Sequence, residues 1–412
     1  MKYDIAVMGG GPAGMMAAGR AGELGSRVVL LEKNASLGIK LLATGNGRCN
    51  LTNENLKDKK NISVYGANGK FLYSAFFKFG ADALIEFFNV RGVPTKIEDN
   101  GRVFPKSDKA RDVLDALIAY LKESKVEMRF NSAVKKIVSS GEKIEKIILE
   151  DDSEIIADKY IIAVGGKSYP LTGSTGDGYE WLKNLGHTII KLSPALSAVT
   201  TKEKSVKDLE GLSLREVGIN VLKNGKKIET KIGEMIFTSD GLSGPAIINL
   251  SKIIGASLPD VKLRLDLRPE LNPDELDRKI IEDFKVDNNK KFKNYFFTIM
   301  PSRLAATLIA QTGIDPEKQV NLITREERKK IVRVLKELDF EVKSLKGFDR
   351  AMVTAGGVDL KEIDPKTMRS KIYSNLFLAG EILDLDGPTG GYNLQIAWST
   401  GYLAGESAAF YG

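Results

Sequence analysis

The chain has few of the side chains that most often bind metals or form disulfides. Its 412 residues include one cysteine, Cys49, and one histidine, His187. A single cysteine excludes an internal disulfide and fits a reducing compartment such as the cytoplasm. With one histidine, a histidine-based metal site is not expected. We therefore predict that the protein binds no metal.

Long hydrophobic runs are also absent. No stretch of about 18 apolar residues occurs, so no membrane-spanning helix is expected. The first residues, MKYDIAVMGGGPAG, carry an acid at Asp4 and have glycines where a signal peptide would have its apolar core. The sequence therefore predicts no signal peptide and a cytoplasmic location. Glycine, by contrast, is abundant, with 40 residues against 13 prolines.

Glycines cluster first near the amino end, in YDIAVMGGGPAGMMAAGRAGELGSRVVLLEK (3–33). Apolar residues at Ile5–Val7 predict the end of a strand, and the spacing from Ala13 to Leu24 predicts a helix with small residues on one face. Val28–Leu31 predicts a second strand, and Glu32 ends it. This order of strand, glycine turn, helix and strand is typical of a Rossmann-type dinucleotide site.

The glycines of this turn match the G-x-G-x-x-G spacing at Gly9, Gly11 and Gly14. Gly9 is expected to allow the tight turn, Gly11 to admit a pyrophosphate, and Gly14 to let the helix pack closely on the strand. Glu32 is expected to accept hydrogen bonds from a ribose hydroxyl. An acid at this position favours FAD or NAD over NADP.

Two later segments favour FAD over NAD. A buried strand near 158–164 ends in Gly165 and Gly166, and Leu376–Ala379 is followed by Gly380 and Glu381. A glycine turn then leads into a helix predicted from Asn393. In flavoproteins with two such binding folds, a late acid contacts the ribityl chain and the helix terminus stabilises charge on the reduced flavin. An NAD-only domain does not need a further strand and helix from the end of the chain at its site, so we predict FAD.

Several motifs match one family from end to end of the chain. They are GGGPAG (9–14), TGNGRCNLTN (44–53), GGKSYPLTGSTGDG (165–178), GLSGPA (241–246), PSRLA (301–305), VTAGGV (353–358), TMRSK (367–371) and AGEILDLDGPTGGYNLQIAWSTG (379–401). With these motifs the chain resembles the bacterial BaiN-like, or YhiN-type, FAD-dependent oxidoreductases. One departure is Ser239, where many relatives have a histidine.

The resemblance implies an α/β fold in which a Rossmann-type, glutathione-reductase-like FAD domain is interrupted by an inserted β-barrel-like and helical region. A hairpin turn at Asn224-Gly225 and helical patterns at 273–285 and 325–338 agree with it. The predicted parts are 1–193 (FAD domain), 194–271 (β-rich), 272–338 (helical), 339–352 (β-rich) and 353–412 (FAD domain).

The fingerprint and the resemblance together predict the residues that contact the cofactor. They are Gly9, Gly11, Pro12, Ala13, Gly14, Glu32, Lys33, Lys40, Gly45, Arg48, Val134, Gly165, Gly166, Gly380, Glu381, Gly391, Tyr392, Asn393 and Leu394. No second G-x-G-x-x-G is present. NADH or NADPH is therefore expected to dock transiently over the flavin and leave before the substrate enters.

Four residues are candidates for catalysis: Arg48, Cys49, Tyr392 and Asn393. Cys49 has two interpretations, a proton donor to the carbon beside the one that receives hydride, or a small residue that fills space near the flavin. Tyr392 is the rival donor, and Arg48 and Asn393 could hold a substrate carbonyl. His187 is expected at the surface or at a helix end.

The net charge of +7 is concentrated in one segment. Residues 285–346 contain 14 Lys or Arg and 8 Asp or Glu, interspersed with Phe292, Tyr295, Phe296 and Phe297. Such a segment can bind a phosphate backbone and stack on bases, which would suit ribosomal RNA. The alternative is a set of solvated helix faces whose aromatic residues point into a core.

Three functions follow from these predictions. The resemblance favours reduction of a conjugated carbon–carbon double bond, with uridine in ribosomal RNA converted to dihydrouridine. The second is a small-molecule reductase or oxidase acting on an unsaturated oxo-steroid of the bile-acid type. The third is a flavin-bearing RNA or ribosome-assembly binder with little turnover.

Overall fold

The chain folds into two units, and the first is built from two distant segments. The computed structural model describes residues 2–410, apart from the side chain of residue 59. The first unit comprises Met1–Ala195 with Phe348–Gly412, and the second comprises Leu196–Gly347. The finer division of the inserted segment into β-rich and helical parts stays a prediction.

The strands, in chain order, are β1 (Tyr3–Met8), β2 (Val28–Leu31), β3 (Thr52–Asn53), β4 (Thr95–Glu98), β5 (Arg102–Pro105), β6 (Glu127–Arg129), β7 (Val134–Ser140), β8 (Lys143–Leu149), β9 (Glu154–Ile155), β10 (Ala157–Ile162), β11 (Ile189–Ala195), β12 (Val199–Thr201), β13 (Ser213–Lys223), β14 (Lys226–Thr238), β15 (Gly241–Ser243), β16 (Val261–Asp266), β17 (Leu338–Leu345), β18 (Val353–Val358) and β19 (Leu376–Leu378). The α-helices are α1 (Pro12–Glu23), α2 (Ile39–Ala43), α3 (Tyr73–Lys78), α4 (Ala81–Asn89), α5 (Ala110–Glu123), α6 (Asp177–Asn184), α7 (Pro245–Ser257), α8 (Pro273–Val286), α9 (Phe292–Ile299), α10 (Ser302–Thr312), α11 (Arg325–Lys336) and α12 (Tyr392–Phe410).

The central sheet of the first unit is parallel and has the order β19-β10-β1-β2-β6. Its inner strands are buried on both faces, which explains why β2 is a continuous apolar run rather than an alternating one. The remaining strands of this unit form small antiparallel sheets, β3-β5-β4, β7-β8-β9 and β11-β18. The strand that closes one edge of the parallel sheet, β19, comes from the end of the chain.

Helices α1 and α12 pack with their backbones in contact. A Cβ added at Gly401 would lie 2.3 Å from the backbone oxygen of Ala13, and one at Gly405 would lie 2.2 Å from that of Ala17. Only glycine permits this approach, which is the reason for the small face predicted for the late helix. The contact fixes the first turn of α1, and with it the glycine turn that precedes the helix.

The second unit contains a closed barrel with the strand order β12-β15-β14-β13-β16-β17. Strands β13 and β14 form a hairpin whose turn residues, Asn224 and Gly225, have φ of +50° and +77°. This left-handed pair is the geometry that an Asn-Gly hairpin favours. Helices α7 to α11 belong to the same unit and share its separate apolar core. The predicted fold class is confirmed by the parallel sheet and this inserted barrel.

The aromatic residues of the basic segment point mostly inward. Phe292, Tyr295 and Phe296 are buried in the core of the second unit, and only Phe297 is substantially exposed, at 46%. Three of the four are therefore unavailable for stacking on bases, so the base-stacking expectation is wrong for them. The buried aromatic side chains stabilise the packing of the helices that carry the charges.

His187 was expected at the surface or at a helix end. It does lie at the end of α6, where its N–H donates to Leu182 O at 2.9 Å, but the surface expectation is wrong. Its ring is buried, with Nδ1 3.0 Å from Glu362 Oε2 and Nε2 3.1 Å from Ser370 Oγ. Ser370 Oγ also accepts hydrogen bonds from the backbone N–H groups of Ile372 and Tyr373. The His187 side chain thus connects the turns at Glu362 and Ser370 to the end of α6. No local sequence pattern around position 187 predicts these contacts.

Burial of His187 predicts a specific pH dependence of stability. Burial lowers the pKa of His187 below 6.5, although the hydrogen bond to Glu362 acts in the opposite direction. Below pH 6.5 the unfolded chain therefore binds a proton that the folded chain does not, and folding is weakened as pH falls. In His187→Gln, we expect the free energy of unfolding to lose this dependence, which is at most about 1.4 kcal/mol per pH unit. Denaturant titrations at several pH values measure it, and parallel curves for both proteins would contradict the prediction.

Candidate functional site

The glycine turn between β1 and α1 has the shape that a dinucleotide requires. A Cβ on Gly9, whose φ is +102°, would meet Ala163 O at 2.5 Å, and one on Gly14 would meet Gly9 O at 1.8 Å. Both positions therefore need glycine for steric reasons inside the protein. Gly11 is different, because a Cβ there would have no atom within 4 Å. The space beside Gly11 is open at the amino end of α1, where Pro12 and Ala13 begin the helix.

This open space passes a simple test of fit for a dinucleotide. Gly11 has φ of −81°, a conformation that any residue adopts, so neither backbone strain nor a protein neighbour explains a glycine there. A pyrophosphate on the helix amino terminus does explain it, since free N–H groups and the helix dipole favour anions. The residues of this turn fit FAD in that respect.

Glu32 lies at the end of β2, and its carboxylate is held firmly in place. Oε2 accepts from Gly10 N at 2.8 Å, and Oε1 accepts from Asn34 N at 2.8 Å and Asn34 Nδ2 at 2.7 Å. The segment that leads to Val134 lies beside it, since Ser132 N donates to Glu32 O at 2.9 Å. A carboxylate has further lone pairs, so Glu32 can still accept a ribose hydroxyl.

Lys33 ties the end of β2 to the glycine-rich loop after β10. Its Nζ donates to Thr175 Oγ1 at 2.6 Å and to Asp177 Oδ2 at 2.9 Å. Asn34 Nδ2 also donates to Thr172 O at 3.3 Å. The role of Lys33 seen here is to hold the loop, and its cofactor contact stays a prediction.

A polar network joins the start of α2 to the turn after β19. Lys40 Nζ donates to Glu381 Oε2 at 2.8 Å and to Ser168 Oγ at 2.7 Å. Glu381 Oε1 accepts from Ser168 Oγ at 2.7 Å and from Thr354 N at 2.8 Å. Burial acts to raise the pKa of Glu381, but the Lys40 ammonium and these hydrogen bonds outweigh it, so the pKa is lowered and Glu381 stays ionised.

Ser168 and Thr354 are site residues that the sequence reasoning missed. Thr354 Oγ1 accepts from the N–H groups of Lys167 and Ser168 at 2.8 and 3.1 Å, which positions the loop around Gly165 and Gly166. A Cβ on Gly166 would meet Thr354 Oγ1 at 2.5 Å and Glu381 Oε1 at 2.7 Å. Both residues lie in motifs that carry the resemblance, which was the available signal. Their roles depend on contacts across nearly 190 residues of sequence.

The first turn of α12 follows two glycines in left-handed conformations. Gly390 and Gly391 have φ of +117° and +98°, and a Cβ on Gly391 would lie 2.2 Å from Thr52 O. Asn393 is fully used within this turn, because its side chain pairs with the backbone of Gly387 and Pro388. Its role as a substrate clamp is therefore not favoured. Leu394, next in the helix, packs against the core.

Tyr392 is placed differently from the other catalytic candidates. The ring is half-buried, 6.1 Å from the ring of Tyr65 in an edge-on arrangement, and the Tyr65 hydroxyl donates to the Tyr392 backbone oxygen at 3.0 Å. These contacts fix the main chain and the ring. Within the described residues the Tyr392 hydroxyl itself has no hydrogen-bond partner, so it is free to donate to a bound molecule.

Cys49 lies in the core and has no exposed surface. Burial raises the pKa of Cys49 to about 12, although a hydrogen bond with the Thr44 side chain acts to lower it. The residue takes a left-handed backbone conformation, φ +60°, stabilised by its N–H donating to Thr44 O at 3.0 Å. Protein atoms alone cover the thiol. This placement favours the space-filling interpretation over the catalytic one.

The burial of Cys49 makes a direct prediction about its reactivity. A covered, fully protonated thiol reacts slowly because the thiolate is the nucleophile. We expect the native protein, with or without FAD, to resist a thiol-specific reagent, and the denatured protein to react with one equivalent. Rapid labelling of native protein at neutral pH, measured by absorbance or intact mass, would contradict this and would reopen the catalytic role.

Arg48, next to Cys49, makes ion pairs on the protein surface. Its guanidinium lies 2.9 Å from Glu98 and 3.2 Å from Asp108, and it stacks 3.9 Å above the ring of Phe104. These contacts satisfy the guanidinium of Arg48, which was expected to contact the cofactor or to hold a substrate carbonyl. Gly45, in the same loop, has φ of +57° and approaches Asn50 N. The loop is thus packed around its own backbone.

The predicted site residues converge from four strands. The ends of β1, β2, β10 and β19 lie at the carboxyl edge of one parallel sheet, the edge where such sheets bind ligands. Gly9, Glu32, Gly165 and Gly380 each follow one of these strands. Gly380 N donates to Thr400 Oγ1 of α12 at 2.9 Å, which joins the helix to the same edge.

Among residues 2–410, no helix combines the length and the apolar character needed to cross a membrane. Within the same residues, no three His, Cys, Asp or Glu side chains are grouped so as to hold a metal ion.

Comparisons with known proteins give matches along the whole chain. A family model described as the HI0933-like protein Rossmann domain matches residues 3–407. The chain is 32% identical over 411 residues to a 3-dehydro-bile acid Δ(4,6)-reductase of Clostridium scindens, covering 98% of both chains. It is 27% identical over 406 residues to a ribosomal RNA dihydrouridine synthase of Escherichia coli, again with 98% of both chains covered.

Solved structures share the fold at much lower identity. A 3-ketosteroid-Δ4-(5α)-dehydrogenase of Rhodococcus jostii superposes with a TM-score of 0.55 at 14% identity, over 100% of this chain and 97% of that one. The FrdA subunit of Escherichia coli quinol fumarate reductase gives 0.53 at 16% identity, over 99% and 70%. These two likenesses establish the shared architecture.

Proposed function

Because the chain belongs to the HI0933-like family of FAD-binding Rossmann oxidoreductases, we propose that it reduces a conjugated carbon–carbon double bond with NADH or NADPH. The names of the two relatives described above support this reaction class, since a Δ(4,6)-reductase and a dihydrouridine synthase each saturate such a bond. The substrate proposed first is a uridine of ribosomal RNA. The uracil C5–C6 bond is conjugated to the C4 carbonyl, so hydride adds at C6 and a proton at C5.

Bound FAD supplies hydride chemistry that the amino acids lack. The open space at Gly11 and the amino end of α1 would hold its pyrophosphate, and Glu32 its adenosine ribose. Lys40 and Glu381, which pair with each other, would hold the polar ribityl chain of the cofactor. The helix dipole at the amino end of α12 would stabilise negative charge that develops near it.

The observation that carries the chemical proposal is the contrast between two candidate proton donors. The Tyr392 side chain is half-buried and its hydroxyl has no hydrogen-bond partner among residues 2–410, whereas the Cys49 thiol is buried in the core. Tyr392 is therefore proposed to protonate the carbon next to the one that receives hydride. A phenol hydroxyl within hydrogen-bond reach can act as a general acid toward a carbanion-like centre.

Mass spectrometry of ribosomal RNA tests the proposed substrate. RNA from a strain lacking the gene should miss one uridine that is heavier by two hydrogens. Complementation with wild type or Cys49→Ala should restore it, and Tyr392→Phe should restore much less. An unchanged map in the deletion strain would exclude the RNA substrate.

A second candidate substrate is an unsaturated oxo-steroid of the bile-acid type. It is favoured by the higher identity, 32% against 27%, to the Clostridium scindens reductase. Anaerobic mixing of the holoprotein with NADH or NADPH, followed by each substrate, separates the two. Flavin bleached by the nicotinamide and reoxidised by the steroid alone would favour the second candidate. Absence of bleaching with either nicotinamide would remove the proposed reductant.

A further inference from the structure

In the hairpin of β13 and β14, β13 is also paired with β16 along Gly218–Lys223, whereas the first part of β14 is an edge strand. Strand β14 pairs with β15 only from Ile236 to Thr238, whereas its pairing with β13 continues to Lys226. Every residue from 226 to 232 is exposed. Successive side chains of a strand point to opposite faces, so exposure of all of them leaves both faces of β14 in solvent. We call residues 223–232 the ribbon.

The ribbon is basic, and its charges are not neutralised. Its sequence, KNGKKIETKI, has four lysines and one acid. The Lys223 ammonium donates to a backbone oxygen, that of Pro259. Lys226, Lys227 and Lys231 make no ion pair with any residue that the structure describes. Glu229, the one acid, accepts a hydrogen bond from the N–H of its neighbour Thr230.

The helical basic segment makes an instructive contrast. There Lys291 and Lys293 both pair with Glu317, Lys318 pairs with Glu327, and Lys329 pairs with Glu326. Paired lysines contribute little net field, and a polyanion must displace their partners before it can bind them. In the ribbon, by contrast, three lysines within six residues have no ion-pair partner that the structure describes, although the sequence alone placed the basic surface at 285–346.

From this arrangement we propose that the ribbon binds the phosphate backbone of RNA. The inference rests on the RNA substrate proposed above and adds the surface that recruits it. Lys226 and Lys227 lie on opposite faces of this edge strand, so their ammonium groups can contact phosphates on either side of it. The ribbon has no aromatic residue and no arginine, so it reads no base by stacking or bidentate hydrogen bonds. It contributes affinity, and the site must contribute selection.

Two other roles for the lysines would give different results. Residues 226–235 of β14 leave one strand edge unpaired, and lysines often protect such edges from pairing with another chain. Ile228 and Ile232 are exposed at 44% and 60%, so a protein partner could add a strand there. In either case RNA affinity would not depend on the three ammonium groups.

The test compares two variants with the same loss of charge in the full-length holoprotein. One is Lys226→Gln, Lys227→Gln and Lys231→Gln together; the control is Lys291→Gln, Lys293→Gln and Lys329→Gln together. The probe is a fluorescently labelled transcript of a ribosomal RNA domain, titrated at several salt concentrations. We expect the ribbon variant to bind at least tenfold more weakly, with its salt slope reduced by about 2 to 3. The control should change less than threefold.

The outcomes separate the proposals. Equal weakening of both variants would show that net charge, and not the ribbon, governs binding, and would overturn the inference. Binding of the ribbon variant at wild-type strength would overturn it as well, and self-association of that variant would assign the lysines to edge protection. Failure of the RNA-reductase proposal has a separate signature, which is an unchanged uridine map in the deletion strain whatever the binding data show.

Discussion

Replacing Gly11 by alanine should weaken FAD binding at least tenfold, about 1.4 kcal/mol, while leaving the apoprotein as stable as before or slightly more stable. The reason is that the added methyl group enters the open space at the amino end of α1 and touches no protein atom. The backbone at Gly11 is already one that alanine adopts, so the substitution reduces the entropy of the unfolded chain, which typically stabilises by about 0.4 to 1 kcal/mol.

The two effects of Gly11→Ala have opposite signs, and this makes the result diagnostic. Fluorescence titration of apoprotein with FAD gives the affinity, and thermal unfolding without FAD gives the stability. Gly14→Ala is the matched comparison, because its methyl group would lie 1.8 Å from Gly9 O and should destabilise the apoprotein itself. Unchanged FAD affinity in Gly11→Ala would mean that the open space is not the pyrophosphate site.

Replacing Gly401 by alanine should destabilise the first unit by about 1 to 3 kcal/mol, the usual cost of overpacking. In an isolated helix the same substitution is favourable by about 1 kcal/mol, so helix propensity predicts the opposite sign. The unfavourable sign is expected because the new methyl group would lie 2.3 Å from the Ala13 backbone oxygen, which cannot move without shifting α1. Weaker FAD binding should accompany the loss, since α1 carries the glycine turn.

Gly255→Ala in α7 is the matched control for Gly401→Ala. There the added methyl group would meet only the end of the Leu345 side chain, which can rotate away. In denaturant unfolding, Gly401→Ala should therefore lower the free energy of unfolding, whereas Gly255→Ala should raise it or leave it unchanged. Stabilisation of the protein by Gly401→Ala would show that α1 and α12 have more freedom than their contact indicates.

The sequence was most informative where local chemistry decides the structure. The second strand was predicted at Val28–Leu31 and is found there, because a short apolar run between Arg27 and Glu32 is typical of a buried parallel strand. The helix predicted from Ala13 to Leu24 spans Pro12–Glu23, and the Asn224-Gly225 turn adopts the expected backbone. The family predicted from TGNGRCN and GPTGGYNLQ is confirmed by the match along the whole chain.

What could not be predicted depends on partners far away in sequence. The burial of His187 requires Glu362 and Ser370, and the ion pairs of Arg48 require Glu98 and Asp108. No sequence pattern around positions 48 or 187 predicts these contacts. The same holds for Lys40, whose network with Glu381 spans most of the chain. Residue type alone suggested chemistry for these groups, and packing decided what each one does.

Backbone contact between α1 and α12 has a consequence for the order of events during synthesis. A nascent chain that has not yet reached residue 376 possesses β1, β2 and β10 but lacks both the strand that extends the sheet beside β10 and the helix that braces α1. The inserted unit, residues 196–347, is complete well before that point and has its own core. On the ribosome the barrel can therefore mature first, while the nucleotide-holding half waits for the last stretch of polypeptide to emerge.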